Sequence, residues 1–147
     1  MANELDGLRI AFMVANEGIE QVELTEPWQA IKDAGATPEL LAPEPGTAQA
    51  FNHLDKADSF PVDQAIRDAD PGDYDALVLP GGVANPDQLR TVPAAVDFTR
   101  SMFGAGKPAA LSATARGPRW RRTWCAAERS CHGQACRPTS ATQAGTG

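Results

Sequence analysis

The sequence predicts an α/β protein with an open, mostly parallel sheet that carries helices on both faces. Two short, mainly apolar runs, 8–15 and 74–79, are typical of strands buried on both sides. Turn residues follow each run, and the segment 20–34 between them has the apolar spacing of a helix. The element order along the whole chain, β-α-β-β-α-β, favours right-handed crossovers between parallel strands.

The first half of the chain is predicted to contain one turn, one helix, a second strand and a loop. Residues 16–18 form the turn and residues 20–34 the helix. Pro27 lies inside this helix and predicts a kink or an early break, because proline lacks an amide proton and clashes with the preceding turn. Residues 37–42 form the strand and 43–46 the loop. The apolar face of the helix consists of Val22, Leu24, Trp28 and Ile31.

The second half is predicted to contain a small insertion and then another strand–helix–strand unit. Residues 49–62 form an extra hairpin, and residues 63–69 a short helix. After the strand 74–79, residues 93–104 form a helix that starts with proline and ends with glycine. Residues 107–110 are the entry to the next strand.

The predicted fold places a ligand crevice beyond the carboxyl ends of the core strands, at a topological switch point. Residues 16–20 and 81–85 each follow a core strand, so we expect both to line one crevice. The dinucleotide signature Gly-x-Gly-x-x-Gly does not occur in the sequence, and we expect no cofactor.

The charge distribution restricts the possible partners. Residues 1–108 carry seven Lys/Arg against eighteen Asp/Glu, a net charge of −11, which argues against binding to nucleic acid or to an anionic membrane. The amino terminus lacks the features of a signal peptide, and no run approaches the roughly 18 apolar residues of a membrane span. Residues 1–108 contain no cysteine, which suits a reducing compartment or a protein indifferent to redox state. We therefore expect a cytoplasmic protein.

The composition changes at about residue 109. Residues 109–147 contain one large aliphatic residue, Leu111, all three cysteines, and a net charge of +5. We therefore predict a domain over 1–110 and a disordered tail over 111–147. The cysteine spacing is not that of a zinc site, so we expect no metal. The mixture of arginine and tryptophan in 120–124 leaves open one class of function, an acidic domain with a basic arm that binds nucleic acid.

Four segments together resemble the ThiJ/PfpI family, which includes PfpI-type intracellular proteases and the parkinsonism-associated deglycase. The resemblance implies a flavodoxin-like sheet, here cut off before its last strands. It also implies a class I glutamine amidotransferase-like protein that acts through a cysteine on a small-molecule or peptide carbonyl substrate, usually as a homo-oligomer. The segments are residues 15–24 (ANEGIEQVEL), 60–63 (FPVD), 74–82 (YDALVLPGG) and 106–110 (GKPAA).

The sequence departs from the family where the nucleophile is expected. In the family, two apolar residues and then Cys-His-Gly follow the segment that matches 106–110, whereas this chain reads Leu-Ser-Ala-Thr-Ala-Arg-Gly over 111–117. Ala113 thus stands in the place of the cysteine. Codons for 111–117 can be chosen so that a shifted frame reads Val-Cys-His-Gly-Pro-Trp. The same shift lets residues 130–143 encode a longer stretch that also resembles the family, and this favours an out-of-frame tail over the alternative, a genuinely divergent one.

Three site residues are implied by the resemblance. Glu20 matches the catalytic glutamate that contacts the nucleophile, although an acid is also favoured near the start of a helix. Gly82 matches an oxyanion-binding amide, although a turn with positive φ also requires glycine. Asp87 lies near the position at which oligomeric family members carry an acid that reaches the histidine after the nucleophile of a neighbouring subunit. Pro86-Asp87 also suits a helix start. The sequence thus predicts an inactive remnant of a cysteine-dependent hydrolase. The alternative is a non-catalytic small-ligand or stress-related binding module.

Overall fold

A five-stranded parallel sheet forms the centre of the protein in the computed structural model, which describes residues 4–82 and 84–111. The strand order is β6-β3-β1-β7-β8, so β1 lies in the middle and pairs with β3 and β7. The predicted open parallel sheet is therefore confirmed. The predictions for 112–147, including Ala113 and the disordered tail, lie outside the described residues. The strands are β1 (Arg9–Met13), β3 (Thr37–Ala42), β6 (Gln64–Ala65), β7 (Ala76–Leu79) and β8 (Ala109–Leu111).

A second, three-stranded sheet is built around the predicted hairpin. Strands β4 (Thr47–Asn52) and β5 (Asp55–Pro61) pair antiparallel, which confirms the hairpin. Strand β2 (Glu17–Glu20) pairs parallel with β4. The prediction of a simple turn at 16–18 is therefore wrong from Glu17 onward, because pairing with β4 extends the chain there.

Helix α1 (Gln21–Asp33) is continuous, and the predicted early break at Pro27 does not occur. The apolar side of α1 packs on the central sheet. Leu24 is buried, and the centre of the Trp28 ring lies 5.0 Å from the centre of the Phe12 ring on β1. This burial offsets the hydrogen bond that proline cannot donate. The helix begins one residue after Glu20, which is the last residue of β2.

The remaining helices agree in part with the predictions. Helix α3 (Pro93–Gly104) is confirmed, and a short helix α2 (Asn85–Leu89) precedes it. The predicted helix over 63–69 is wrong, since β6 and one 3₁₀ turn, Ile66–Asp68, occupy that segment. The cause is Asp63, whose carboxylate accepts from the Leu40 amide at 2.7 Å and whose amide donates to the Leu40 carbonyl at 2.9 Å. These bonds hold the chain against β3.

Two apolar clusters, one on each face of the central sheet, form the core. Successive residues of β1 alternate between the two clusters. Phe12 belongs to the cluster that includes Leu24 of α1, and Met13 belongs to the cluster that includes Phe98 of α3. Helices therefore cover both faces, as predicted. In the described ranges, no helix is both long enough and apolar enough to span a bilayer.

Replacing Thr99 with valine is expected to stabilise the protein by about 0.5–1 kcal/mol, measured by urea unfolding. Thr99 is buried in α3, and within the described part of the chain its hydroxyl has no hydrogen-bond partner. The matched control is Thr25→Val in α1, because the Thr25 hydroxyl donates to the Gln21 carbonyl at 3.1 Å. If Thr99→Val is the more destabilising of the two, the Thr99 hydroxyl is satisfied and the explanation fails.

Candidate functional site

The candidate site lies where β1 and β7 end side by side. The chain leaves β1 towards β3 and leaves β7 towards β8, in opposite directions, so this is the switch point of the sheet. The two predicted loops meet here, since the Glu20 amide donates to the Gly81 carbonyl at 3.1 Å. Residues 16–20 and 81–82 thus lie together, as the sequence predicts.

Glu20 is held by the tip of the β4–β5 hairpin. Its carboxylate Oε2 accepts from the His53 amide at 3.0 Å, and Oε1 lies 3.4 Å from the same nitrogen. His53 has a φ of 59°, an uncommon value for a residue other than glycine, and this conformation belongs to the tight turn that presents the amide. The Glu20 side chain makes no hydrogen bond that caps α1 within the described residues. Its orientation is therefore set by the hairpin and not by the helix end.

Gly82 occupies a position where no other residue fits without movement. Its φ is +140°, and a Cβ there would overlap the Gly18 carbonyl oxygen and lie 2.7 Å from the Glu20 amide nitrogen. Gly18 is similarly confined, because a Cβ on it would lie 2.8 Å from the Cβ of Ala84. The main chain of Gly82 therefore approaches the main chain of β2 directly, with no side chain between them.

Asp87 does not join this group. It lies on α2 with its side chain 68% exposed, and its carboxylate pairs with Arg90 at 2.8 Å. Pro86 stands in the first turn of α2 beside it, so the helix-start explanation of this pair agrees with the structure. Asp87 is not among the described residues that line the crevice.

The crevice between the hairpin tip and α2 encloses about 190 Å³. Carboxylates and apolar side chains both line it, a combination that suits a small polar molecule with an apolar part. No cluster of three or more metal-ligating side chains occurs in the described ranges. The lining residues are Glu17, Gly18, Glu20, Phe51, His53, Leu54, Ala84 and Gln88.

Two residues that the sequence did not single out contribute to the site. His53 contributes its main-chain amide, which has no signature in a sequence. Asn85 is fully buried, and its side-chain amide bonds to the Ala15 amide and to the Pro80 carbonyl. Its only sequence signal is its place shortly after the glycine pair.

Strand β8 brings the chain back to the site. It pairs parallel with β7, with Leu111 opposite Leu79, so both strands end at the edge where Gly81 and Gly82 follow. Leu111, which the sequence assigned to the tail, is the last residue of β8. Position 113 comes two residues later in the chain.

Comparisons with known proteins agree with this architecture. The sequence pattern of the DJ-1/PfpI family matches residues 8–119, which is more than half of the chain. A deglycase of Pyrococcus horikoshii and a deglycase of Pyrococcus furiosus are each 37% identical over 103 residues. Each alignment covers 70% of this chain and 58% of the relative, so this chain spans little more than half the length of either enzyme.

A solved structure shows the same fold. Oxidized DJ-1 of Toxoplasma gondii superposes with a TM-score of 0.66 at 18% identity, over 74% of this chain and 57% of the other. The switch-point crevice and the glycine-rich turn after β7 both lie within the residues that match the family. The chain therefore belongs to the DJ-1/PfpI family, and the resemblance to the ThiJ/PfpI proteins is confirmed.

Proposed function

We propose that this chain carries the acid and the glycine turn of a cysteine-dependent carbonyl-processing site, of the deglycase or protease type, and that it does not turn over substrate. The contact between the Glu20 amide and the Gly81 carbonyl, beside the end of β8, is the observation that carries the proposal. This contact places the family's acid beside its glycine turn, at the sheet edge where the residues after β8 would bring the nucleophile.

The chemistry explains why the missing thiol is decisive. A thiolate attacks the carbonyl carbon, a C–S bond forms, and the carbonyl electron pair moves to oxygen, where backbone amides stabilise the charge. Glu20 would hold the proton of the thiol or hydrogen-bond its sulfur. Alanine has no lone pair to donate, so Ala113 cannot start this sequence. The turn and the acid then remain as a site without a nucleophile.

The first test is an activity assay on the chain as it stands. We expect no turnover of methylglyoxal or of a peptide substrate. Glu20→Ala serves as the control, because activity that survives this change comes from a contaminating enzyme. Turnover that Glu20→Ala abolishes would contradict the proposal of inactivity.

The second test repairs the reading frame. Inserting one base at codon 111 is expected to encode Ala-Val-Cys-His-Gly from that codon onward and to give a protein that unfolds in one cooperative transition. The new cysteine is expected to react with iodoacetamide at neutral pH, and more slowly in the Glu20→Ala background. A rapid stop codon after the insertion, or a product no more stable than the present chain, would refute the frameshift.

The family also implies a homo-oligomer, and we extend this proposal to Asp87. Its exposed position on α2 suits an acid that acts on a neighbouring subunit better than one that acts within its own chain. In the repaired protein, Asp87→Asn is expected to lower activity only where sedimentation shows an oligomer.

A non-catalytic small-ligand module is the second candidate, and the 190 Å³ crevice favours it. A small carbonyl compound that binds without turnover, and binds more weakly to Glu20→Ala, would support this function. Saturation-transfer NMR on the present chain measures such binding directly.

A further inference from the structure

Asn85 joins the ends of the two central strands. Its side chain is 0% exposed. The Oδ1 atom accepts from the Ala15 amide at 2.6 Å, and the Nδ2 group donates to the Pro80 carbonyl at 2.7 Å. Ala15 lies two residues beyond β1, and Pro80 directly follows β7. One buried side chain thus makes a hydrogen bond to each of the two loops.

The sequence explains why such a link is needed there. Strands β1 and β7 pair in register from Ile10–Ala76 to Phe12–Val78, and the loops diverge after that. Pro80 has no amide proton, so it cannot donate to a continued ladder. A side-chain amide has the same donor and acceptor as a peptide group. Asn85 therefore satisfies the Ala15 amide and the Pro80 carbonyl where direct pairing stops.

The segment that carries Asn85 also packs against the strand that ends in Glu20. A Cβ on Gly18 would lie 3.3 Å from the Asn85 amide nitrogen, so β2 rests on the start of α2. The glycine turn after Pro80 contacts the same strand through the bond from the Glu20 amide to the Gly81 carbonyl. A shift of Asn85 would therefore move both contacts.

We propose that Asn85 is the positioning residue of the site: by acting as a substitute peptide group between the ends of β1 and β7, it fixes the separation between Glu20 and the Gly81–Gly82 turn. The inference rests on the proposed function only for the statement that these two elements form the site. Asn85 lies outside the crevice lining and has no role in the chemistry itself.

The wild-type protein provides the first measurement. In a ¹⁵N,¹³C-labelled sample, we expect scalar couplings across hydrogen bonds from the Asn85 Nδ2 to the Pro80 carbonyl carbon and from the Ala15 nitrogen to the Asn85 Cγ. The Ala15 amide is expected to exchange slowly with solvent. If both couplings are absent, the proposal is overturned without any variant.

Variants then separate positioning from general stability. In Asn85→Ala, exchange of the Ala15 amide is expected to accelerate about 10- to 100-fold, and the amide signals of Glu20 and His53 are expected to shift. In Asn85→Asp, which keeps the acceptor but loses the donor, Ala15 stays protected while the Glu20 amide, bonded to Gly81, exchanges faster. If neither variant folds, the couplings in the wild-type protein still decide the proposal.

The matched control is Tyr74→Phe, which removes a hydrogen bond at the opposite end of the same sheet. It is expected to lower the melting temperature and leave the Glu20 and His53 signals in place. The proposal is wrong if Asn85→Ala lowers the melting temperature but leaves those signals unchanged, or if Tyr74→Phe shifts them equally. None of these readouts depends on turnover or on the tail, so a failure here is distinguishable from a failure of the proposed function.

Discussion

Gly82→Ala is expected to destabilise the protein by about 3 kcal/mol or more. The new Cβ would overlap the Gly18 carbonyl oxygen, and the backbone would have to keep a φ of +140°. Because the obstacle is main chain and not a flexible side chain, β2 and the glycine turn must separate. Urea unfolding monitored by circular dichroism measures the loss.

The control for this prediction is Gly46→Ala. Gly46 has a φ of +120°, but a Cβ there meets nothing within 4 Å. It therefore reports the cost of the backbone conformation alone, about 1 kcal/mol. If the two variants lose the same stability, the close approach of Gly82 to Gly18 contributes nothing.

The second large effect concerns acid stability and comes from a network at the opposite end of the sheet. Glu39 accepts hydrogen bonds from Arg9, at 2.5 Å and 3.1 Å, and from the Tyr74 hydroxyl at 2.7 Å. The Arg9 guanidinium also lies 5.0 Å from the centre of the Tyr74 ring. Burial alone would raise the pKa of Glu39, but these hydrogen bonds outweigh it and hold that pKa below its usual 4.5. The pKa of Tyr74 is raised by burial and by Glu39.

Glu39→Gln is therefore expected to cost about 1–2 kcal/mol at pH 7 and much less at pH 3. A carboxyl with a lowered native pKa stabilises the fold above its unfolded pKa. That contribution disappears as the pH falls through the native value. Urea unfolding from pH 3 to pH 7 measures the difference. Asp97→Asn is the control, since the Asp97 side chain is 71% exposed and its pairing with Arg100 is worth little. A constant difference across this range would contradict the explanation.

The core of the fold could be predicted because its strands are identified by their own residues. Strands β1, β3 and β7 are largely apolar runs that need burial on both faces. Strands β2 and β6 were not predicted, because their residues are extended only by pairing with strands that are distant in sequence. Gln64–Ala65 is two residues long and pairs with Leu41–Ala42. A pattern of two or four residues carries no readable period.

The site could be predicted only in part for a similar reason. Glu20 and the glycine pair lie in motifs that the family shares, so a resemblance locates them. His53 acts through its main-chain amide, and Asn85 through a buried side chain that replaces strand pairing. The role of His53 has no residue pattern, since any amino acid except proline supplies a main-chain amide, and a single asparagine carries no period that marks it as a link between strands. Such contributions become visible only when distant segments are placed in space.

The placement of the site across β1 and β7 has a consequence for the order of folding. The β4–β5 hairpin joins neighbours in sequence, with Asn52 opposite Asp55, and can close within microseconds. The β1–β7 ladder joins Ile10 to Ala76, so the whole intervening chain must be enclosed before the ladder forms. We therefore expect the hairpin tip that holds Glu20 to form before the β1–β7 ladder, and the crevice to be completed only when that ladder closes.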